Sequence, residues 1–139
     1  MSVTYLPRPG TPVEELDTPS IVVDLDVAES NLRKMQAFVN KQGMGLRPHS
    51  KTHKSPYWAH KQLKAGAVGI TCSKVGEAEA LVDGGIREIL IANEIVGVKK
   101  VGRLAALQKR ANVIVAVDSA ENARELSEAA EAIGVEIPV

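Results

Sequence analysis

The sequence is poor in thiols, rings and net charge, and each shortage removes a class of function. Cys72 is the single cysteine, so no intrachain disulfide can form and a reducing compartment is expected. Aromatic residues make up 3% of the chain, which leaves few platforms for stacking bases and assigns the core to Val, Ile, Leu and Ala. The 17 basic and 17 acidic side chains cancel, so no bulk basic field points to nucleic acid. No apolar run approaches the roughly 20 residues that cross a bilayer, and the N-terminus lacks the pattern of a secretory leader. These absences predict a soluble, cytoplasmic protein that has neither nucleic acid nor a membrane as partner. What is present, at 45% hydrophobic residues, is the composition of an ordinary folded domain.

Residues 1–16 include Pro7, Pro9, Gly10 and Pro12 and read as an irregular arm. A regular alternation begins at residue 17. The segment 20–25 is β-branched and nearly continuously apolar, as a strand covered on both faces would be. Helical periodicity follows over 27–41, where Val27, Leu32, Met35, Phe38 and Val39 share one side. Further strands are expected at 46–50, 67–72, 88–92, 112–117 and 135–139, and helices at 56–65, from Ser73 to Gly84, at 97–109 and at 120–133. Ser55-Pro56 supplies a cap and a first-turn proline for the second helix.

Strand starts recur every 21–25 residues with short loops and no hairpin signals, which is a βα rhythm. An open doubly wound sheet and an eight-stranded barrel both use it. No Gly-x-Gly-x-x-Gly follows the first strand, where the chain reads Asp24-Leu25-Asp26-Val27-Ala28-Glu29, so a dinucleotide site lacks support. The chain also ends within its sixth strand candidate, and apolar strand edges would stay open if the natural protein stopped there. The reading is an α/β fold, a (β/α)8 TIM-type barrel, of which residues 17–139 supply about the first five βα units and the start of the sixth strand.

The chemistry concentrates in Arg47-Pro48-His49-Ser50-Lys51-Thr52-His53-Lys54. Strand alternation places Arg47, His49 and Lys51 on one side, and in a barrel Lys51 then stands near the C-terminal mouth where such enzymes build their sites. A lysine partly buried among positive charges loses its proton more readily, and its free amine can attack a carbonyl. Such a group forms a Schiff base with a carbonyl substrate or with pyridoxal phosphate; a phosphate-binding lysine and a solvated basic turn are the alternatives. Lys54 follows the strand and is a weaker candidate. His49 and His53 lack nearby carboxylate or thiolate ligands, so no metal site is expected within the chain. An imidazole beside a cofactor ring, or relaying protons at a substrate hydroxyl, suits histidine better. Cys72, Ser73, Asn93, Glu94, Asp118 and Ser119 end later strands and would surround the same mouth. Asn93 can orient a ligand through donor and acceptor. Asp118 can anchor a cationic group, unless it or Ser119 caps the helix that follows. Asp24 is read as facing the interior and Asp26 as a helix cap.

From residue 17 onward the chain resembles the N-terminal part of D-threonine aldolases and eukaryotic-type D-serine dehydratases, pyridoxal-phosphate enzymes of the alanine racemase class. The resemblance is carried by Asp17-Thr18-Pro19-Ser20, Val23-Asp24-Leu25-Asp26 and above all the Arg47–Lys54 run. It continues through Gly69-Ile70-Thr71-Cys72-Ser73-Lys74-Val75, Glu77-Ala78, Gly85-Ile86-Arg87-Glu88-Ile89-Leu90, Asn93-Glu94 and Val117-Asp118-Ser119. The stretch Asn93-Glu94-Ile95-Val96-Gly97 and Val117-Asp118 look closer to the aldolases. The resemblance implies that Lys51 carries pyridoxal 5'-phosphate as a Schiff base, with Arg47 and His49 in the cofactor shell and His53 near it as a catalytic group; Asn93 and Asp118, from their places at the barrel mouth, are expected as further cofactor contacts. It also implies a homodimer and a divalent metal (Mn, Mg or Zn) held by residues of a C-terminal β-domain, which is absent here along with the rest of the barrel. The implied reaction is retro-aldol cleavage of D-threonine to glycine and acetaldehyde. Dehydration of D-serine, D-threonine or 3-hydroxyaspartate, racemisation, and a non-enzymatic pyridoxal-phosphate homeostasis barrel are the alternatives.

Overall fold

A computed structural model describes residues 6–139; the first five residues of the expected arm lie outside the described residues. In chain order the elements are α1 (Leu25–Lys41), α2 (Pro56–Ala65), β1 (Ile70–Cys72), α3 (Val75–Asp83), β2 (Glu88–Glu94), α4 (Val98–Leu107), β3 (Asn112–Ala116) and α5 (Ala120–Ile133), with short 3-10 turns at Val13–Glu15 and Ser50–Thr52. The strands form one parallel sheet in the order β1-β2-β3, with Ile70 opposite Ile89 and Ile89 opposite Val113. This is an incomplete (β/α) barrel whose sheet is not closed.

The sheet has two unlike faces because strand side chains alternate. Ile70, Cys72, Ile89, Ile91, Val113 and Val115 are fully buried and pack in one cluster with Val82, Val101, Leu104 and Leu126 of the helices. Removing such a side chain from water contributes about 1.5–3 kcal/mol. On the other face Leu90, Ile114 and Ala116 are half-buried and Glu88, Ala92 and Asn112 are exposed. That is the face a closed barrel turns inward.

Three strand expectations are corrected. Residues 20–24 form no strand: Ile21 is 96% exposed, and a segment apolar on both sides gains nothing as a strand without cover. Asp24 instead accepts from the Val27 N–H at 3.0 Å and caps α1, so the helix starts at Leu25 and Asp26 lies in its first turn. Residues 46–50 keep a single bridge, His49 to Thr71. The next rung down would need an N–H from Pro48, which proline lacks. At the chain end the Val115 N–H donates to Pro138 O at 3.0 Å, but Pro138 returns no N–H and 135–139 is not a strand. Helix α1 also turns differently from expectation. Gln36 and Val39 are buried while Met35 and Phe38 lie 49% and 59% exposed, because α2 covers only a narrow strip of it.

The helix-facing layer carries the stability of this arrangement. Ile89→Ala is expected to lower the unfolding free energy by about 2–5 kcal/mol, read from the urea midpoint; a loss below about 1 kcal/mol would show that this layer is not the core.

Candidate active site

The segment 46–50 lies along the free edge of β1. Thr71 donates its N–H to Pro48 O at 2.8 Å and its hydroxyl to Arg47 O at 3.1 Å, while the Ser50 hydroxyl donates to Thr71 O at 3.1 Å. Ser50 is buried, and there the chain tightens into the 3-10 turn, so strict alternation ends one residue before Lys51. Lys51 is exposed, and its ammonium joins no ion pair among the described residues, unlike Lys54, which approaches Glu77 at 3.9 Å. Lys54 has φ 47, a left-handed turn that redirects the chain into α2.

His49 is the best-tied group of the run. Its Nδ1 accepts from the Lys51 N–H at 3.2 Å, and its Nε2 lies 3.2 Å from Ser73 Oγ. A neutral ring carries one proton, so Nε2–H donates to Ser73. Burial pushes the imidazole below its ordinary value and the Lys51 charge pushes it further down, with Glu77 acting in the opposite direction. Ser73 is fixed in turn: its N–H donates to Glu77 Oε2 at 2.8 Å, and its carbonyl accepts from Asn93 Nδ2 at 3.4 Å. Glu77, in the first turn of α3, was not singled out by the sequence. Its signal is a carboxylate three residues after the Lys74 N-cap, the position from which a glutamate reaches back to the residues before a helix.

The remaining candidates separate in space. Arg47 lies two residues below His49, with its guanidinium packed over Gly69, where an added Cβ would come within 2.0 Å of Nη1. That nitrogen is buried without a hydrogen-bond partner. His53 turns toward α2: its Nδ1 accepts from the Ser55 N–H at 3.1 Å and its Nε2 meets Gln62 Oε1 at 3.3 Å. His60 is exposed in α2 and its Nε2 meets Gly84 O at 2.7 Å. Asp118 is exposed at the end of β3, and Ser119 is the residue that caps α5, accepting from the Asn122 N–H at 3.1 Å. The Cys72 thiol is pushed up to about 12, mainly by burial, which leaves it inert as a nucleophile. A cavity of about 670 Å³ lies beside the strand ends and is bordered by Ser50, Lys54, Ser73, Glu77, Asn93 and Lys100. Lys51 is not in its wall; it stands on the neighbouring turn.

A parallel βα sheet with an exposed lysine and an imidazole beside one strand end has the layout of a barrel-type site. The profile of the alanine racemase N-terminal domain matches residues 23–139, and the chain belongs to that family. It is 46% identical over 132 residues to the D-threonine aldolase of Arthrobacter sp, covering 95% of this chain and 35% of that protein. It is 41% identical over 133 residues to the 3-hydroxy-D-aspartate aldolase of Paracoccus denitrificans, covering 94% and 34%. The crystal structure of D-threonine aldolase from Filomicrobium marinum superposes with a TM-score of 0.86 at 48% identity, over 87% of this chain and 33% of that one. The chain thus spans about a third of the length of the curated relatives it matches.

Two outcomes follow from this geometry. In an NMR titration His49 is expected to have its midpoint below 6.5, with Lys51→Gln moving it up and Glu77→Gln moving it down; a midpoint above 6.5 would contradict the half-buried, neutral assignment. Gly69→Ala is expected to displace the Arg47 guanidinium and cost about 1–3 kcal/mol of stability, and an unchanged unfolding midpoint would show that the contact is slack.

Proposed function

We propose that this chain is the N-terminal, cofactor-bearing part of a pyridoxal-phosphate-dependent lyase acting on D-β-hydroxy amino acids, with retro-aldol cleavage of D-threonine to glycine and acetaldehyde as its reaction. The observation that carries the reading is Lys51, an exposed amine with no carboxylate partner among the described residues, at the end of the segment that holds a neutral His49. Its similarity to two aldolases along nearly its whole length supports the substrate class.

The residues present fit the cofactor. An amine free of ion pairs can reach an aldehyde, and the unpartnered Arg47 Nη1 is a buried cationic donor that would suit an anionic ligand group. Lys51 would hold the cofactor covalently through Nζ, with His49 and Asn93 bordering it and Asp118 a more distant polar contact. Pyridoxal phosphate, when bound, supplies the electron sink for bonds at the substrate Cα. The chain's own groups do the rest. His49 keeps its proton at Nε2 and so lines the site as a neutral ring, adding no second cation beside Lys51. Lys51 Nζ would be placed to return a proton at the substrate Cα after the Cα–Cβ bond is broken. His53, with both ring nitrogens engaged at the start of α2, serves this reading by fixing the turn after Lys51.

The described residues contain no group of three or more His, Cys, Asp or Glu able to hold a metal, so the divalent ion implied by the resemblance has no ligand set among them. A homodimer and a cytoplasmic setting belong to the same reading and rest on the resemblance and the sequence; among the described residues no helix is long and apolar enough to cross a membrane.

The full-length polypeptide, given pyridoxal phosphate, a divalent cation and D-threonine or D-serine, is expected to yield glycine and acetaldehyde from D-threonine. Lys51→Ala should lower that rate on the order of 10³-fold or more. Formation of 2-oxobutanoate from D-threonine and pyruvate from D-serine would replace the aldolase reading with a dehydratase.

A further inference from the structure

We propose that the Ser73 hydroxyl is a further binding group of the Lys51 site, donating a hydrogen bond to an anionic oxygen of the molecule held there. The identity of that molecule as pyridoxal phosphate rests on the function proposed above; the donor itself follows from the hydrogen-bond geometry.

His49 fixes the direction of its bond with Ser73. Its Nδ1 accepts the Lys51 N–H at 3.2 Å, so the ring proton is at Nε2 and Ser73 Oγ, 3.2 Å away, is the acceptor. Ser73 therefore spends a lone pair on His49, and its own hydroxyl hydrogen goes to no protein acceptor among the described residues. A half-buried hydroxyl with an unspent proton is a donor available to a ligand.

The hydroxyl is also held in place. Glu77 of α3 accepts the Ser73 N–H at 2.8 Å, and Asn93 of β2 donates to the Ser73 carbonyl at 3.4 Å, so both neighbouring peptide groups are fixed from different elements. The bridge between His49 and Thr71 sets the height, and the His49 ring, which accepts from the Lys51 N–H and meets Ser73 Oγ, ties the start of the Lys51 turn to Ser73. Ser73 also borders the cavity of about 670 Å³ that lies beside the Lys51 turn and does not include Lys51 in its wall, a space within the size range of small-molecule sites. Lys54, Lys74 and Lys100 share its wall with Glu77 and Glu94, an excess of cationic groups that favours an anionic ligand.

The test is a pyridoxal phosphate titration of the full-length polypeptide, read by the absorbance band of the bound cofactor and by the Kd. Ser73→Ala, which removes the donor, and Ser73→Cys, which leaves only the weak thiol donor, are each expected to weaken binding about tenfold and to shift the band, as loss of a hydrogen bond to a charged acceptor does. Ser73→Thr, which keeps the hydroxyl, should restore both to within about twofold. The fold should survive all three, because Glu77 and Asn93 hold Ser73 through its main chain. An unchanged Kd and band in Ser73→Ala and Ser73→Cys overturns this assignment alone. A wild-type polypeptide that forms no complex with pyridoxal phosphate overturns the parent reading and this assignment with it.

Discussion

The bridge between His49 and Thr71 joins the 46–50 segment to the sheet, and the positions of the site groups are set outward from it. Below the bridge, Arg47 falls over Gly69, the one residue type that leaves space for its guanidinium. Above it, the Ser50 hydroxyl ties back to Thr71 O, and the chain curls so that Lys51 points out of the packed layer. Thr71 also leads directly into Cys72 and Ser73, so the rung that positions Lys51 positions its hydroxyl neighbour. Loss of that rung would uncouple the lysine from the sheet while leaving β1, β2 and β3 paired.

Division of labour between the faces of the sheet explains why chemistry and stability do not compete here. The helix side is apolar and closed, with Ile70, Ile89, Ile91, Val113 and Val115 sealed beneath α3, α4 and α5. The inner side is polar or half-open, with Glu88 accepting from the Asn112 amide at 2.8 Å and Leu90 and Ile114 only partly covered. The loop after β2 is held by two contacts with α5, from Asn122 Nδ2 to Ile95 O at 2.8 Å and from the Gly97 N–H to Glu125 Oε1 at 3.0 Å. Asn93 therefore stands near the end of β2, just before an anchored loop, and from there it steadies Ser73.

Much of this was legible in the sequence. Apolar runs at a βα spacing located all five long helices and the three paired strands to within a few residues, because burial against a helix layer writes a strong hydrophobic signal. The segments 20–25 and 135–139 carry the same signal without the partners that would pair them, so composition overstated the sheet. Period-two alternation put Arg47 and His49 on the inner face, but it could not give depth, and the guanidinium settles at the level of Gly69 below the imidazole. Nor could it see the 3-10 turn, which depends on Ser50 finding Thr71 across the edge. His53 looked equivalent to His49 in a run of imidazoles and lysines, yet the proline at the start of α2 brings Ser55 and Gln62 to its two nitrogens. Ser73 and Glu77 are four residues apart in a helix-start pattern, and only the fold brings them against a histidine 24 residues earlier.

Whether Lys51 is the attachment point can be read directly. Full-length polypeptide incubated with pyridoxal phosphate, reduced with borohydride and digested with trypsin should show one stoichiometric modified site, at Lys51 in the peptide 42–54, because the Arg47–Pro48 bond resists cleavage. Modification at Lys54, Lys74 or Lys100 with Lys51 unlabelled would contradict the site as built here.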